Sequence, residues 1–319
     1  MTVRSHRRKF IQNTVLAASS LAVGKELSVP FVGEENSNYR NTSPYSLMRE
    51  VMRYRKIDAY ANAYADEGIA RKQMDFADRL GIEKLILSVP IAREMGRTPE
   101  EIRKYNDLVI RSVKRYPERL RGQFTLSPFF FKESVDEMKR CIEEGMVGLK
   151  LHNQFKINDP VVYPVIEQFI PYRMMIHVHG ESQLGVGGHR MKYDVHNTPT
   201  ISVPEDFAEV AKRYPEAMFQ YAHIGGGGDW EYACKAFADY PNIFVDVGGS
   251  NNGGYMVDFA VETLGEDRVF FGTDSSYYQA VGNILSCDLT VRQKEKIFFE
   301  NYNTILKKSG RGFSDDKNN

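Results

Sequence analysis

Along the chain, short runs rich in β-branched and aromatic residues alternate with longer stretches whose apolar positions recur every three or four residues. The short runs are "KIDAYAN" from Lys56, "KLILSVP" from Lys84, "GQFTLSP" from Gly122, "VGLKLH" from Val147, "RMMIHVHG" from Arg173, "MFQYAHI" from Met218, "IFVDVGG" from Ile243 and "VFFGTD" from Val269. Between them lie segments such as "DEGIARKQMDFADRL", "ESVDEMKRCIEEG", "PEDFAEVAKRYP" and "DWEYACKAFADYP", which have helical spacing and mostly end at Gly or Pro. Strand, helix, strand in repetition predicts a parallel sheet, because a parallel strand needs a crossover to return to the same edge. Eight such units within about 260 residues fit a single closed (β/α)8 barrel, the TIM-barrel architecture, better than an open doubly wound sheet with its fewer strands.

The composition is that of an ordinary globular chain: 319 residues, 42% hydrophobic and 26% charged. Its 42 basic and 42 acidic residues cancel, which gives no reason to expect nucleic acid or an anionic membrane surface as the partner. A small-molecule substrate is expected, with a homo-oligomer left open. "GVGGHR" and "HIGGGGDW" are glycine-rich, but neither carries the full G-x-G-x-x-G fingerprint of a dinucleotide site. Cys141, Cys234 and Cys287 are widely separated and odd in number, so they read as buried small apolar residues rather than a disulfide framework.

Charge is uneven only at the amino terminus. Arg4, Arg7, Arg8 and Lys9 precede "FIQNTVLAASSLAVG", with no acidic residue before Glu26. This layout resembles a twin-arginine export signal, whose receptor reads the paired guanidiniums and which carries folded proteins. The expected organisation is a signal peptide over 1–30, a linker over 31–50 containing Asn36, Asn38, Asn41 and Pro44, the barrel over 51–310, and a polar tail over 311–319. An exported, periplasmic protein follows, either cleaved or held by an uncleaved anchor. No later stretch reaches the roughly 18 unbroken apolar residues of a membrane span, so none is expected in the mature chain.

In such barrels the active site lies at the carboxyl ends of the strands. Those ends carry Asp58, Tyr60 and Asn62 on strand one, Lys150 and His152 on strand four, His177 and His179 on strand five, His223 on strand six, Asp246 on strand seven and Asp274 on strand eight. His177 and His179 are two apart, so both rings can face one point, a spacing that suits a divalent metal or an acid/base pair. One packed and one backbone-bonded histidine is the competing account. Asp274 would bind metal or take a proton from water, or only cap the following helix. Lys150 would contact a substrate carboxylate, be carbamylated, or pair with Asp246 or Asp274. Asp58 would anchor strand one. His189, Arg190, Lys192 and His196 fall in the long loop after strand five, where lids often form.

Taken in order, "IDAYAN", "NDLVIRSVKRYPERLRGQFTLSP", "GMVGLKLH", "MMIHVHGE", "NTPTISVPEDFAEVAKRYPEAMFQYAHIGGG", "VFFGTDSS" and "KEKIFFENYNTIL" resemble the amidohydrolase-related family that includes aminocarboxymuconate-semialdehyde decarboxylase. The resemblance spans nearly all of 56–306. It implies a metal-dependent barrel hydrolase or decarboxylase acting on a small organic, carboxylate-bearing molecule. It also implies His177 and Asp274 as metal ligands, His223 as the histidine assisting water or substrate, and a His-x-His pair ending strand one. Here those strand-one positions are Tyr60 and Asn62. Three outcomes stay open: one divalent metal, zinc first, in an altered ligand set; a metal-free enzyme with His223 as base, Asp274 orienting it and Tyr60 donating to an oxyanion; or a ligand-binding relative without catalysis. Tyr60, Asn62, Lys150, His152 and His179 are the expected substrate contacts.

Overall fold

A computed structural model of the chain describes residues 46–91, 96–181, 199–226, 229–249 and 253–314. The signal peptide, most of the linker, and His189, Arg190, Lys192 and His196 lie outside the described residues.

Eight parallel strands follow one another around a single sheet: β1 (Ile57–Asn62), β2 (Lys84–Ser88), β3 (Leu120–Phe124), β4 (Gly148–Leu151), β5 (Met175–His179), β6 (Met218–Ala222), β7 (Ile243–Asp246) and β8 (Val269–Phe270). Backbone hydrogen bonds of 2.9 Å from Ala59 N–H to the Phe271 carbonyl and from Asp274 N–H to the Tyr60 carbonyl join β8 back to β1. The expected (β/α)8 barrel is therefore the fold.

Helices lead from each strand to the next. After a short α1 (Leu47–Arg53), they include α2 (Glu67–Arg79), α3 (Pro99–Arg115), α4 (Phe131–Glu143), α5 (Tyr163–Phe169), α6 (Pro204–Arg213), α7 (Trp230–Phe237), α8 (Met256–Leu264) and α9 (Tyr277–Leu285). Local chemistry sets their starts. Asp66, Thr98 and Asp229 accept hydrogen bonds from the backbone amides of Ile69, Glu101 and Tyr232, which satisfies donors that a helix leaves free in its first turn. Their apolar faces bury Val109, Phe207 and Phe237 against the outward side chains of the strands.

The barrel interior is layered by the alternation of strand side chains. At the amino end Met175, Met218, Phe244 and Phe270 form an apolar plug with Tyr302, Ile305 and Leu306 of the carboxyl-terminal helix (Asn301–Lys308). The rings of Phe244 and Phe270 stack there at 5.3 Å. Two residues further along the same strands the interior turns polar.

Two expected boundaries shift. Helix α1 begins at Leu47, inside the expected linker. In the expected polar tail, Phe313 is buried in the apolar plug and exchanges two hydrogen bonds with the Asn303 side chain, which tie the segment to the barrel. The three cysteines are free and buried, and no helix among the described residues is long and apolar enough to cross a membrane.

Candidate active site

The polar layer consists of Gln123, Lys150, His177, Gln220 and Asp246, all buried. Strand register brings them together, since Lys150 lies opposite His177 and His177 opposite Gln220. Glycines make room, because a Cβ on Gly148 would press on the Gln123 side chain and one on Gly272 would press on Asp246.

The tautomer of His177 follows from its neighbours. The Gln123 amide nitrogen donates to the Tyr302 hydroxyl at 3.0 Å, which turns the Gln123 carbonyl oxygen toward His177 Nδ1 at 2.8 Å. Nδ1 therefore carries the proton, and the Nε2 lone pair accepts from Lys150 Nζ at 3.0 Å. Burial, reinforced by the Lys150 charge, holds His177 well below the usual imidazole range. Lys150 itself lies over the Tyr60 ring, 3.9 Å from its centroid, and burial brings its amine down to about 7 against the opposing pull of Asp246 and Asp274. The Tyr60 ring also packs edge-on against His177 at 4.6 Å.

One layer further out, at the strand ends, stand Asn62, His152, His179, His223 and Asp274. The His223 ring lies between two carboxylates, with Nε2 3.8 Å from Asp274 Oδ2 and Nδ1 3.9 Å from Asp246 Oδ1. Burial drives its pKa down to about 3 while Asp274 pulls the other way, so the ring is neutral at neutral pH. Asn62 donates its amide to Asp274 Oδ1 at 3.1 Å and to Ser275 Oγ at 3.2 Å. Asp274 and Ser275 have φ of 43° and 66°, left-handed values that L residues adopt only when their surroundings enforce them.

Asp58 enforces them from below. Its carboxylate accepts from the Tyr60 and Thr273 amides at 3.0 and 2.9 Å and from the Thr273 hydroxyl at 2.7 Å, binding the turn before Asp274 to strand one. Burial raises the Asp58 carboxyl to about 7 despite these bonds. Asp246, also raised to about 7 by burial, accepts from the Gln220 amide at 2.8 Å and the Gly248 amide at 3.1 Å.

Buried polar atoms in folded proteins are nearly always hydrogen-bonded. Among the described residues those without a partner are Asn62 Oδ1, Ser88 Oγ, both His152 ring nitrogens, Gln220 Oε1 and His223 Nδ1. Every one lies in the carboxyl half of the barrel interior. A cavity of about 300 Å³ is walled by Gly96, Arg97, Leu126, Ser127, Phe129, Phe130, Gln154 and Phe155, on the segments after β2, β3 and β4. A further cavity of about 480 Å³, lined by Arg53, Arg55, Glu295 and Phe299 among others, borders the segment entering β1 and is remote from these groups.

The structure gathers the expected residues but rearranges their partners. Lys150 bonds to His177 and not to a carboxylate, because the β4–β5 register sets the two side by side. His177 and His179 have different partners: His177 lies between Gln123 and Lys150, whereas His179 stands at the end of β5. There its ring is 5.9 Å from that of His223 and its Nε2 3.4 Å from Glu181. Gln123, Gln220 and Ser88 join the site without appearing among the expected residues. Each is a polar residue inside an apolar run on the inward parity, which is the signal that would have found them.

A (β/α)8 barrel with its ionisable side chains gathered at the strand ends is the layout of barrel enzymes. Residues 47–296 match the amidohydrolase family, and the chain belongs to it. Among solved structures, 2,6-dihydroxybenzoate decarboxylase from Rhizobium is similar at 16% identity, with 81% of this chain and 100% of that chain covered and a TM-score of 0.63. For 5-carboxyvanillate decarboxylase from Sphingomonas paucimobilis the values are 15%, 79%, 99% and 0.62. For the enzyme of that name from Novosphingobium aromaticivorans, complexed with manganese and 4-hydroxy-3-methoxy-5-nitrobenzoic acid, they are 15%, 80%, 97% and 0.63.

A divalent metal thus belongs to the site of at least one structural neighbour, and the residues here can be tested against it. They do not fit. The His177 lone pair is taken by Lys150, Asp274 Oδ1 receives an amide N–H from Asn62, and among the described residues no three His, Cys, Asp or Glu side chains form a ligand set.

Proposed function

We propose that this barrel is a hydrolase or decarboxylase acting on a small organic acid at the mouth formed by Tyr60, Asn62, His152, His179, His223 and Asp274. The observation that carries the reading is that Asn62 Oδ1, both His152 ring nitrogens and His223 Nδ1, buried and without a partner, all belong to that mouth. A bound molecule with several polar groups would satisfy them. The likeness in fold to decarboxylases of aromatic acids supports testing such acids first.

In this reading His223 and Asp274 handle the proton. Hydrolysis needs a water deprotonated as it attacks, whereas decarboxylation needs a proton delivered to the carbon that keeps the electrons of the broken bond. A neutral imidazole 3.8 Å from a carboxylate takes the proton of the attacking water in hydrolysis; in decarboxylation it first takes a proton from water or the acid substrate and then passes it to that carbon. Hydroxybenzoates are therefore the first panel, scored by loss of substrate and release of CO2. His223→Asn and Asp274→Asn should each lower turnover about 10²- to 10⁴-fold with the fold intact. Full activity in both variants would refute the assignment. Stabilisation of the protein by a panel member without any product would favour the non-catalytic relative, a reading that Tyr60 and Asn62 in the strand-one positions keep in play.

Export through the twin-arginine route to the periplasm is proposed on Arg7 and Arg8 and the apolar run after them. Retention of the full-length chain in the cytoplasm of an Arg7→Lys/Arg8→Lys variant, against periplasmic wild type, is the expected result. Equal distribution would refute it.

A further inference from the structure

We propose that the Lys150 amine takes the place of a metal in this barrel: it occupies the His177 lone pair through which a divalent metal would bind, and the chain holds no such metal there. The inference deepens the reading of the mouth as the active site and rests on it.

Four observations converge. First, His177 has one lone pair to offer, because Gln123, fixed by Tyr302, holds the Nδ1 proton. Lys150 Nζ stands on that lone pair at 3.0 Å. A metal bound to Nε2 at the usual ~2.1 Å would sit about 1 Å from Nζ, so the two exclude each other. Second, the amine is enclosed by its own recognition surface. The face of Tyr60 lies 3.9 Å from Nζ, which is cation–π geometry, and the same ring packs on His177. Tyr60 stands where the family resemblance implies a histidine ligand, and it meets the amine with an aromatic face instead.

Third, Asn62, at the other implied ligand position, directs an N–H at Asp274 Oδ1. An amide donor there satisfies the carboxylate oxygen that a metal would otherwise share. Fourth, carboxyl groups flank the amine: Asp246 Oδ2 lies 3.8 Å from the same His177 Nε2, and Asp246 and Asp274 both pull Lys150 toward its charged form. Lys150 is fully buried, and a buried charge persists only with such compensation. The strand-one substitutions and the lysine thus form one set: an aromatic face for an ammonium, an amide for a carboxylate, and a lysine on the imidazole. As a residue that holds His177, Lys150 is a positioning residue.

The test reads metal binding, not turnover, so it stands whether or not a substrate is found. Full-length protein is titrated calorimetrically with Mn²⁺ and with Zn²⁺ and analysed for metal content, as wild type, as Tyr60→His/Asn62→His, and as that pair combined with Lys150→Met, which keeps the stem and removes the amine. Wild type should hold no stoichiometric metal at His177. The triple variant should bind one equivalent about 100-fold or more tightly than the double, because in the double the amine must first leave the His177 lone pair. One metal per wild-type chain, lost in His177→Gln, would overturn the proposal. So would equal affinity in the double and triple variants, or no binding by either. The wild-type measurement decides on its own if a variant fails to fold. Failure of the functional reading would look different: no turnover or ligand binding by the wild type, whatever the metal result.

Discussion

His152→Leu offers the most direct test of the idea that this mouth is maintained at a cost. His152 follows β4 on the same face as Lys150, is buried, and has no hydrogen-bond partner for either ring nitrogen. Leaving a buried polar atom unsatisfied costs about 1–3 kcal/mol. Leucine is close to histidine in volume and carries no polar atom, and an imperfect shape match costs up to about 1.5 kcal/mol. The variant should therefore be more stable than wild type by about 1–2 kcal/mol at pH 7.

The gap should widen in acid. Burial first, then the positive charge of Lys150 and the proximity of His179, hold the His152 imidazole well below its usual range. The folded protein keeps it neutral, whereas the unfolded chain takes up a proton as pH falls through about 6.5. The penalty is thus absent above that pH and grows below it, reaching about 2 kcal/mol at pH 5. His152→Leu escapes this penalty, so its advantage at pH 5 should be about 3–4 kcal/mol. Urea unfolding of both proteins at the two pH values measures this. A variant less stable than wild type at neutral pH, with no change in the gap in acid, would show that His152 is satisfied and titrates normally. The same variant should bind substrate more weakly, since it lacks the ring nitrogens that His152 offers the ligand in wild type.

Two further substitutions test the scaffold. Gly225→Ala would drive a Cβ into the Gly248 carbonyl and to 2.6 Å from the Val247 carbonyl, both rigid backbone, so a loss of about 3 kcal/mol in urea unfolding is expected. Wild-type stability would refute the close approach of the β6 and β7 ends. Asp58→Asn should fold, because the introduced carboxamide oxygen can still accept the two backbone amides while its NH2 group donates to a rotated Thr273 hydroxyl. Since the folded carboxyl is raised to about 7, Asp58 costs wild type stability as pH rises from about 4 to 7. Relative to wild type the variant should therefore gain on the order of 3–4 kcal/mol over that range, and a pH-independent difference would refute the raised carboxyl.

The eight strands and their parallel order are legible in the sequence because each β-run sits between turn residues and helical spacing, and the strand ends lead to Lys150, His177, His223 and Asp246 in the barrel interior. What the sequence leaves open is who partners whom. Lys150 and His177 are 27 residues apart, and only the stagger of β4 against β5 makes them neighbours. Gln123 and Gln220 escape notice because a lone glutamine in a strand reads as surface, yet on the inward parity it can only face other interior groups. Phe313 falls into an expected polar tail because one aromatic among charges carries no periodicity. Asp58 reads as an anchor for strand one, and its three hydrogen bonds make it one.

The two ends of the barrel interior differ in a way that bears on whether this relative is still in use. At the amino end, stacked and edge-on aromatic rings around Phe244, Phe270 and Tyr302 fill the space with apolar atoms. At the carboxyl end the same strands bury two carboxylates, a lysine and three histidines against their solvation preference, leave several polar atoms unpartnered, and bend Asp274 and Ser275 into the left-handed region. Each of these is a local loss, and apolar replacements of similar size would recover stability at most of them. A barrel released from function would be free to accept such replacements one by one, since stabilising changes are readily available to natural proteins. The unpartnered atoms, the His177–Lys150 pair and the left-handed Asp274 and Ser275 fall toward the carboxyl ends of the strands, where a ligand to meet would keep them. That asymmetry weighs toward an active or at least ligand-binding mouth, and it is independent of whether a metal is present, because the lysine, the glutamines and His152 carry their burial cost in either case.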